Sequence, residues 1–334
     1  MNILNVLYQS NDNYASITGV SITSLFENNK DLDEINIIIL DDKISKENID
    51  KFKELGKKYK RNISFINSDE ILKKLKELKV APFKGTYTTY FKLMAIPDLK
   101  LKTDLVLQLD GDTIINGSLK ELCNMKLEDN ILAATYDCTM NDYKSLIDIP
   151  LNDKYYNGGV LLISKKNWLK NKCTEKIITH LKEVRNGYYT VDQDILNVLF
   201  RDKFMYLDLK YNFNSGFYIY GIKESLKMYD LKDEYYDTYE KIKKAYDKPV
   251  IYHCMGAMTG RPWEENSIHP QNEIYRHYKN ISPWKEEPLK IVNRSVVFKT
   301  QRFLYKLLPR FMYIPIHKKM QHIYLNQKNR QVTK

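Results

Sequence analysis

Three short runs, residues 35–40 (INIIIL), 104–109 (DLVLQL) and 159–164 (GVLLIS), are apolar at nearly every position rather than at every second one. A strand of that kind needs apolar cover on both faces, which is the condition of a strand inside a mostly parallel sheet with helices on either side. The segments between the runs supply helices. Residues 15–26 have helical spacing, and residues 45–59 are charged and amphipathic, with Ser45 and Glu47 at their start. Ser68 is placed to cap a helix over 70–78, residues 87–95 read as a helix that stops before Pro97, and helices follow Ser164 to about Val184 and open at Asp192. Further strands fall at 2–8, 62–66 and 131–136. The alternation predicts an α/β fold, a single Rossmann-like domain over residues 1–284 with a mostly parallel central sheet. A basic helical C-terminal tail, residues 285–334, follows it.

The net charge of +11 is concentrated in that tail. Residues 285–334 hold twelve Lys or Arg against Glu286 and Glu287, while the other 284 residues carry 41 basic and 40 acidic side chains. A near-neutral body excludes the spread basic footprint of a nucleic-acid-binding domain, so no nucleic acid is expected. On a helical wheel Val296, Val297, Phe303, Leu304, Leu307 and Leu308 fall on one side and Arg294, Lys299, Arg302 and Lys306 on the other, with Pro309 ending or kinking the helix. Such a segment suits an anionic membrane surface; its competitor is a helix docked on the body with its basic face in water. Cys123, Cys138, Cys173 and Cys254 lack CxxC spacing and read as reduced thiols. The N-terminus reads as a first strand, not a signal peptide, and no run reaches the ~18 apolar residues of a membrane span. The expected location is cytoplasmic, peripheral on the inner face of the membrane.

Ligands of open α/β sheets bind outside the carboxyl ends of the strands, and polar clusters occupy those ends here. The most informative is Asp110-Gly111-Asp112, directly after an apolar strand. Side chains two apart on a strand point the same way. Two carboxylates brought to one spot repel unless a cation lies between them, and oxygen ligands favour hard ions such as Mg²⁺ or Mn²⁺. The glycine between them permits close approach of a ligand. Taken alone, the tripeptide reads as a turn with two solvated aspartates; the apolar strand before it leaves both readings open. His253, in the apolar stretch IYHCM, taken alone reads as a packed core residue.

Six segments in order then give a resemblance: NDNY (residues 11–14), TTYFKL (88–93), LQLDGDTII (107–115), YYNGGVLLI (155–163), DQDILN (192–197) and HCMGAMTGRPW (253–263). Over about residues 3–265 the chain resembles the retaining glycosyltransferases of family 8, which include bacterial lipopolysaccharide galactosyl- and glucosyltransferases and glycogenin. The resemblance implies a nucleotide-sugar-binding domain of GT-A type and a hexosyltransferase that moves galactose or glucose from a UDP-sugar to a glycan, lipid-linked or of lipopolysaccharide type. It implies Asp110, Asp112 and His253 as ligands of Mn²⁺ or Mg²⁺. Asn11, Asn13 and Tyr14 would hold the uracil end, with the Tyr14 ring on the base. Lys92, Gly111, Gly256 and Arg261 would join Asp110 at the donor, and Asn157, Gly158 and Gly159 would line the sugar site. Asp192 and Gln193 would sit beside the anomeric carbon, with Asp137 on the acceptor side.

The chain departs from the family where Lys92 replaces the usual Arg, exchanging a forked donor for a point charge. Two extra residues also separate His253 from the basic position, which is Arg261 in place of Lys. Two other classes compete. A nucleotidyltransferase would use the same carboxylate–metal chemistry, although the chain has neither GxGxxG nor GxxxxGK[ST]. A non-enzymatic basic adaptor would bind membrane or nucleic acid through the tail alone.

Overall fold

The structure is a computed structural model that describes residues 1–184, 188–256 and 258–332, with side chains up to residue 323. Its larger sheet has seven strands: β1 (Ile3–Asn11), β2 (Glu34–Asp42), β3 (Asn62–Asn67), β4 (Leu105–Leu109), β6 (Leu132–Tyr136), β7 (Tyr156–Ser164) and β8 (Phe204–Tyr206), in the order β3-β2-β1-β4-β7-β6-β8. A smaller sheet joins β5 (Thr113–Ile115), β10 (Ile251–His253) and β9 (Phe213–Asn214), in that order. The larger sheet is mostly parallel, as expected, but β7 runs antiparallel to both β4 and β6. The inversion sets the start of β7 beside the end of β4.

Neighbouring residues of one strand bury into opposite cores, which is why the runs are continuously apolar. Leu7, Ile38, Val106 and Leu161 face one core with the helices Cys173–Glu183 and Asp192–Phe200. Val6, Ile37, Leu107 and Val160 face the other, beneath the helices Ala15–Asn28 and Lys46–Tyr59. Those two helices are locked by Trp284. Its ring lies against Gly19, where a Cβ would come within 2.1 Å of it, meets the Phe52 ring at 4.8 Å, and donates from Nε1 to Asn48 Oδ1 at 2.7 Å.

Several local expectations are corrected. Ser68 makes no side-chain cap for the helix Asp69–Glu77; Asn67 Oδ1 accepts from the Asp69 N–H at 2.8 Å instead. The helix Phe91–Ala95 does stop before Pro97, which lies in a following 3₁₀ turn, Ile96–Asp98. The strand read from residue 159 begins earlier, at Tyr156, so that Asn157, Gly158 and Gly159 all belong to β7.

The tail folds back on the body. The helices Val296–Leu307 and Arg310–Val332 bury Tyr305, Tyr313 and Ile314 against Ile219, Tyr220 and Met228, and Tyr305 Oη donates to the Ile219 carbonyl at 3.0 Å. The apolar residues read as one face are split. Leu304 and Leu308 pack toward the body, whereas Val296, Val297, Phe303 and Leu307 are exposed, among the exposed Lys299 and Lys306. Among the described residues no helix is long and apolar enough to cross a membrane.

Candidate functional site

Asp110 directly follows β4, and Asp112 precedes β5. The Asp110 N–H donates to the Gly159 carbonyl at 2.8 Å, which ties the DGD turn to β7. Because β10 pairs antiparallel with β5, Thr113 lies opposite His253, and the Cys254 N–H donates to the Asp112 carbonyl at 2.9 Å. That register carries His253 to the two aspartates. Ligand atoms of Asp110, Asp112 and His253 all lie within 4.8 Å of one another. Two carboxylates and one imidazole form a donor set suited to a divalent cation, and their convergence on one point is the arrangement such an ion needs.

The electrostatics differ across the pair. Desolvation raises the Asp110 carboxyl above its ordinary range, against the pull of Lys92. Desolvation acts on Asp112 too, but His253 and the Arg261 guanidinium hold it well below the usual carboxylate range. Burial pushes His253 down, yet Asp112 Oδ1, 3.3 Å from Nε2, raises it overall. Arg261 donates from Nη1 to Asp112 Oδ2 and lies over the Trp263 ring at 5.3 Å. It folds across Gly256, where a Cβ would sit 2.4 Å from Arg261 Cγ.

Lys92 is 1% exposed and does not reach open solvent. Its ammonium lies 2.6 Å from Asp192 Oδ2, 2.8 Å from the Gly158 carbonyl and 3.6 Å from Asp110 Oδ1. It acts on the site by holding two carboxylates, which a compact point charge does well. The other oxygen of Asp192 accepts from Thr89 Oγ1 at 2.7 Å. Gln193 accepts from the Gly158 N–H at 2.8 Å and donates to Tyr155 Oη at 3.1 Å. The residue before this pair, Val191, has φ 45°, an unusual conformation for a β-branched side chain and a form of backbone strain that concentrates at functional sites.

On the far side, Asn157 Nδ2 donates to Asp137 Oδ1 at 2.5 Å, and burial raises the Asp137 carboxyl. Gly159 has to be bare, since a Cβ there would lie 2.3 Å from His253 Cε1. Gly111 lies under Tyr14 and Thr18, and a Cβ would meet Thr18 Oγ1 at 2.6 Å. The Tyr14 ring meets Trp263 edge-on at 6.1 Å. Asn11 and Asn13 stand at the margin. Asn11 Oδ1 accepts from the Tyr14 N–H at 3.1 Å, and the exposed Asn13 is held through its carbonyl by Lys290 Nζ.

Some residues of this network gave no sign in the sequence reading. Thr89 lies inside a quoted motif but was assigned nothing. Gln108, the fourth residue of β4, donates to Asp110 Oδ1 at 3.0 Å. Asp194 is buried and accepts from Tyr143 Oη at 2.6 Å, Tyr155 Oη at 2.5 Å and the Thr190 N–H at 2.8 Å, which steadies the tyrosine behind Gln193.

The family described as Glycosyl transferase family 8 matches residues 5–267. The chain is 30% identical to a lipopolysaccharide 1,2-glucosyltransferase of Escherichia coli, over 86% of this chain and 80% of that one. It is 29% identical to a lipopolysaccharide 1,3-galactosyltransferase of Salmonella typhimurium strain LT2, over 84% and 79%. Among solved structures, the galactosyltransferase LgtC in complex with donor and acceptor sugar analogs superposes with a TM-score of 0.65 at 23% identity, covering 89% of this chain and 99% of that one.

Proposed function

This chain belongs to glycosyl transferase family 8, and from that premise we propose that it is a retaining hexosyltransferase. It moves galactose or glucose from a UDP-sugar to a glycan of lipopolysaccharide type. The observation that carries the reading is the meeting of Asp110, Asp112 and His253 at the carboxyl end of β4, facing Asn157–Gly159, Asp192 and Gln193. The names of the curated relatives support a hexose and a lipopolysaccharide acceptor.

Asp110, Asp112 and His253 would hold Mn²⁺ or Mg²⁺. Such an ion, when bound, offsets the charge of a departing diphosphate. The chain's own groups set the rest. Arg261 brings a second positive charge to the same end of the site, and the bare Gly111 and Gly256 let Thr18, Tyr14 and Arg261 itself close in around it. Tyr14, with Asn11 and Asn13, forms the end of the cleft suited to a base. Asn157, Gly158 and Gly159 form the floor on which the sugar rests.

Neither residue at the sugar is a free nucleophile. Both oxygens of Asp192 are engaged, by Thr89 and Lys92, and both ends of the Gln193 amide are engaged by Gly158 and Tyr155. A double displacement requires a carboxylate free to attack. The acceptor hydroxyl therefore attacks on the face the diphosphate leaves, and Asp137, held by Asn157, orients it.

The exposed apolar and lysine residues of the tail support peripheral attachment to an anionic membrane, where a lipid-linked acceptor is presented. A panel of UDP-sugars, hydrolysed with Mn²⁺ or with EDTA by wild type and Asp110→Asn, tests the reading. Metal-dependent UDP release from one donor, lost in the variant, is expected. No release from any donor, joined to no metal-dependent binding of UDP, would overturn it.

A further inference from the structure

Asn212 takes no part in the scheme above, yet it is 3% exposed at the centre of the site, between a 3₁₀ turn (Leu209–Tyr211) and β9. Its orientation follows from a group that allows only one assignment. The Gly159 N–H can only donate, so the Asn157 side-chain atom 2.8 Å away is Oδ1. Asn157 Nδ2 then meets the Asp137 carboxylate, as a donor should. The same Asn157 Oδ1 lies 2.7 Å from the Asn212 amide, so the atom facing it is Nδ2, which has Thr135 Oγ1 at 3.2 Å as a second acceptor. Thr135 stands where the β6–β7 register shifts, between Ala134 and Tyr136.

Asn212 Oδ1 is thereby turned to His253 Nδ1, 3.0 Å away. An amide oxygen only accepts, so Nδ1 carries the hydrogen. Nε2 is left pointing at the carboxylate pair. On its Cε1 side the ring is confined by Gly159, which has no Cβ to push it away.

We propose that Asn212 is the positioning residue that fixes the tautomer and ring plane of His253, so that Nε2 is the atom offered to a divalent cation. The inference rests on the metal reading given under the proposed function. Partners of this kind are worth about 10–100-fold in metal affinity. Its connection through Asn157 also reaches Asp137, so one chain of amides aligns the cation side of the site with the acceptor side.

Two measurements test it. The first is calorimetric titration of Mn²⁺ into wild type, Asn212→Ala and Asn212→Asp, with melting temperatures in parallel. Asn212→Ala is expected to bind Mn²⁺ about 10–100-fold more weakly, while Asn212→Asp, which keeps an acceptor at Nδ1, binds more tightly than the Ala variant. A merely structural tie would lower the melting temperature and leave the affinity of the folded protein unchanged, which would overturn the proposal. The second is a long-range ¹H–¹⁵N spectrum of the metal-free wild type at alkaline pH, where the neutral His253 ring is expected to carry its hydrogen on Nδ1. A hydrogen on Nε2 would overturn the proposal even if the Ala variant does not fold. A wild type that binds neither Mn²⁺ nor Mg²⁺ would sink the metal reading along with it; wild-type binding with unchanged affinity in Asn212→Ala would sink the assignment alone.

Discussion

Lys92 is the residue on which two carboxylates depend. Lys92→Met keeps the stem and removes the charge, leaving Asp110 and Asp192 without their shared partner. Breaking a buried pair in this way costs about 3–5 kcal/mol, so a lower melting temperature is expected together with lost activity. An unchanged melting temperature would show that the ammonium contributes nothing to holding the pair. Gly159→Ala acts differently. Its methyl group would strike the His253 ring, so Mn²⁺ affinity is expected to fall at least tenfold in titration calorimetry, with Asp110 and Asp112 intact. At this scale the sequence was informative where chemistry and local geometry coincide. Two aspartates spaced i, i+2 directly after an apolar strand marked the site, but it is the turn between β4 and β5, closed by the Thr113 N–H on the Asp110 carbonyl, and not strand alternation that sets Asp110 and Asp112 together. The partners that orient them are another matter. Asn212 and Thr89 are ordinary residues in ordinary surroundings, and only the tertiary structure shows that each holds a functional side chain.

Elements show the same division. The long, doubly covered strands were legible because burial on both faces leaves a continuous apolar run. The small sheet was not: β5 and β10 have three residues each and β9 two, too few for any periodicity, yet their register brings His253 to Asp112. The inversion of β7 leaves no mark in composition either. Helix packing makes its own prediction. In Gly19→Ala the new methyl group overlaps the Trp284 ring, and such overpacking costs about 1–3 kcal/mol, read as a fall of several degrees in melting temperature. The docked tail carries a pH dependence. Burial lowers His317 to about 4, and its neighbours are Tyr220, Tyr313 and Gln321, none of them acidic. Its folded value lies below the unfolded one of about 6.5, so docking is fully stable above about pH 6.5 and weakens as pH falls toward 4, by about 1.4 kcal/mol per unit. Protection factors over residues 296–323, with the intrinsic pH dependence of amide exchange divided out, are expected to fall from pH 7 to pH 4.5 more than those of the large sheet, and His317→Phe should remove the difference. Equal change in both regions would refute the assignment.

For the whole molecule, charge asymmetry matters more than net charge. A near-neutral body carries a tail with ten surplus positive charges, each worth about 1 kcal/mol near an anionic leaflet. Flotation with vesicles is expected to capture the protein on anionic but not zwitterionic lipid, less well at high salt, and less still when Phe303 and Phe311 are changed to Asp. Equal capture on both lipids would argue against the electrostatic part. The reversal of β7 has a further effect. The segment after β6 leaves the sheet at Asp137 and returns at Tyr155, and the Asp137 N–H donates to the Tyr155 carbonyl at 2.8 Å. What lies between is packed as well as clasped: Tyr143, Ile147 and Ile149 are buried together with Tyr155, Tyr143 Oη donates to Asp194, and Arg201 Nε donates to Asp153 Oδ2 at 3.0 Å. The excursion is thus wired to the site: through Asp194 and Tyr155 its packing bears on Gln193, while β4 and β7 keep their own register with each other.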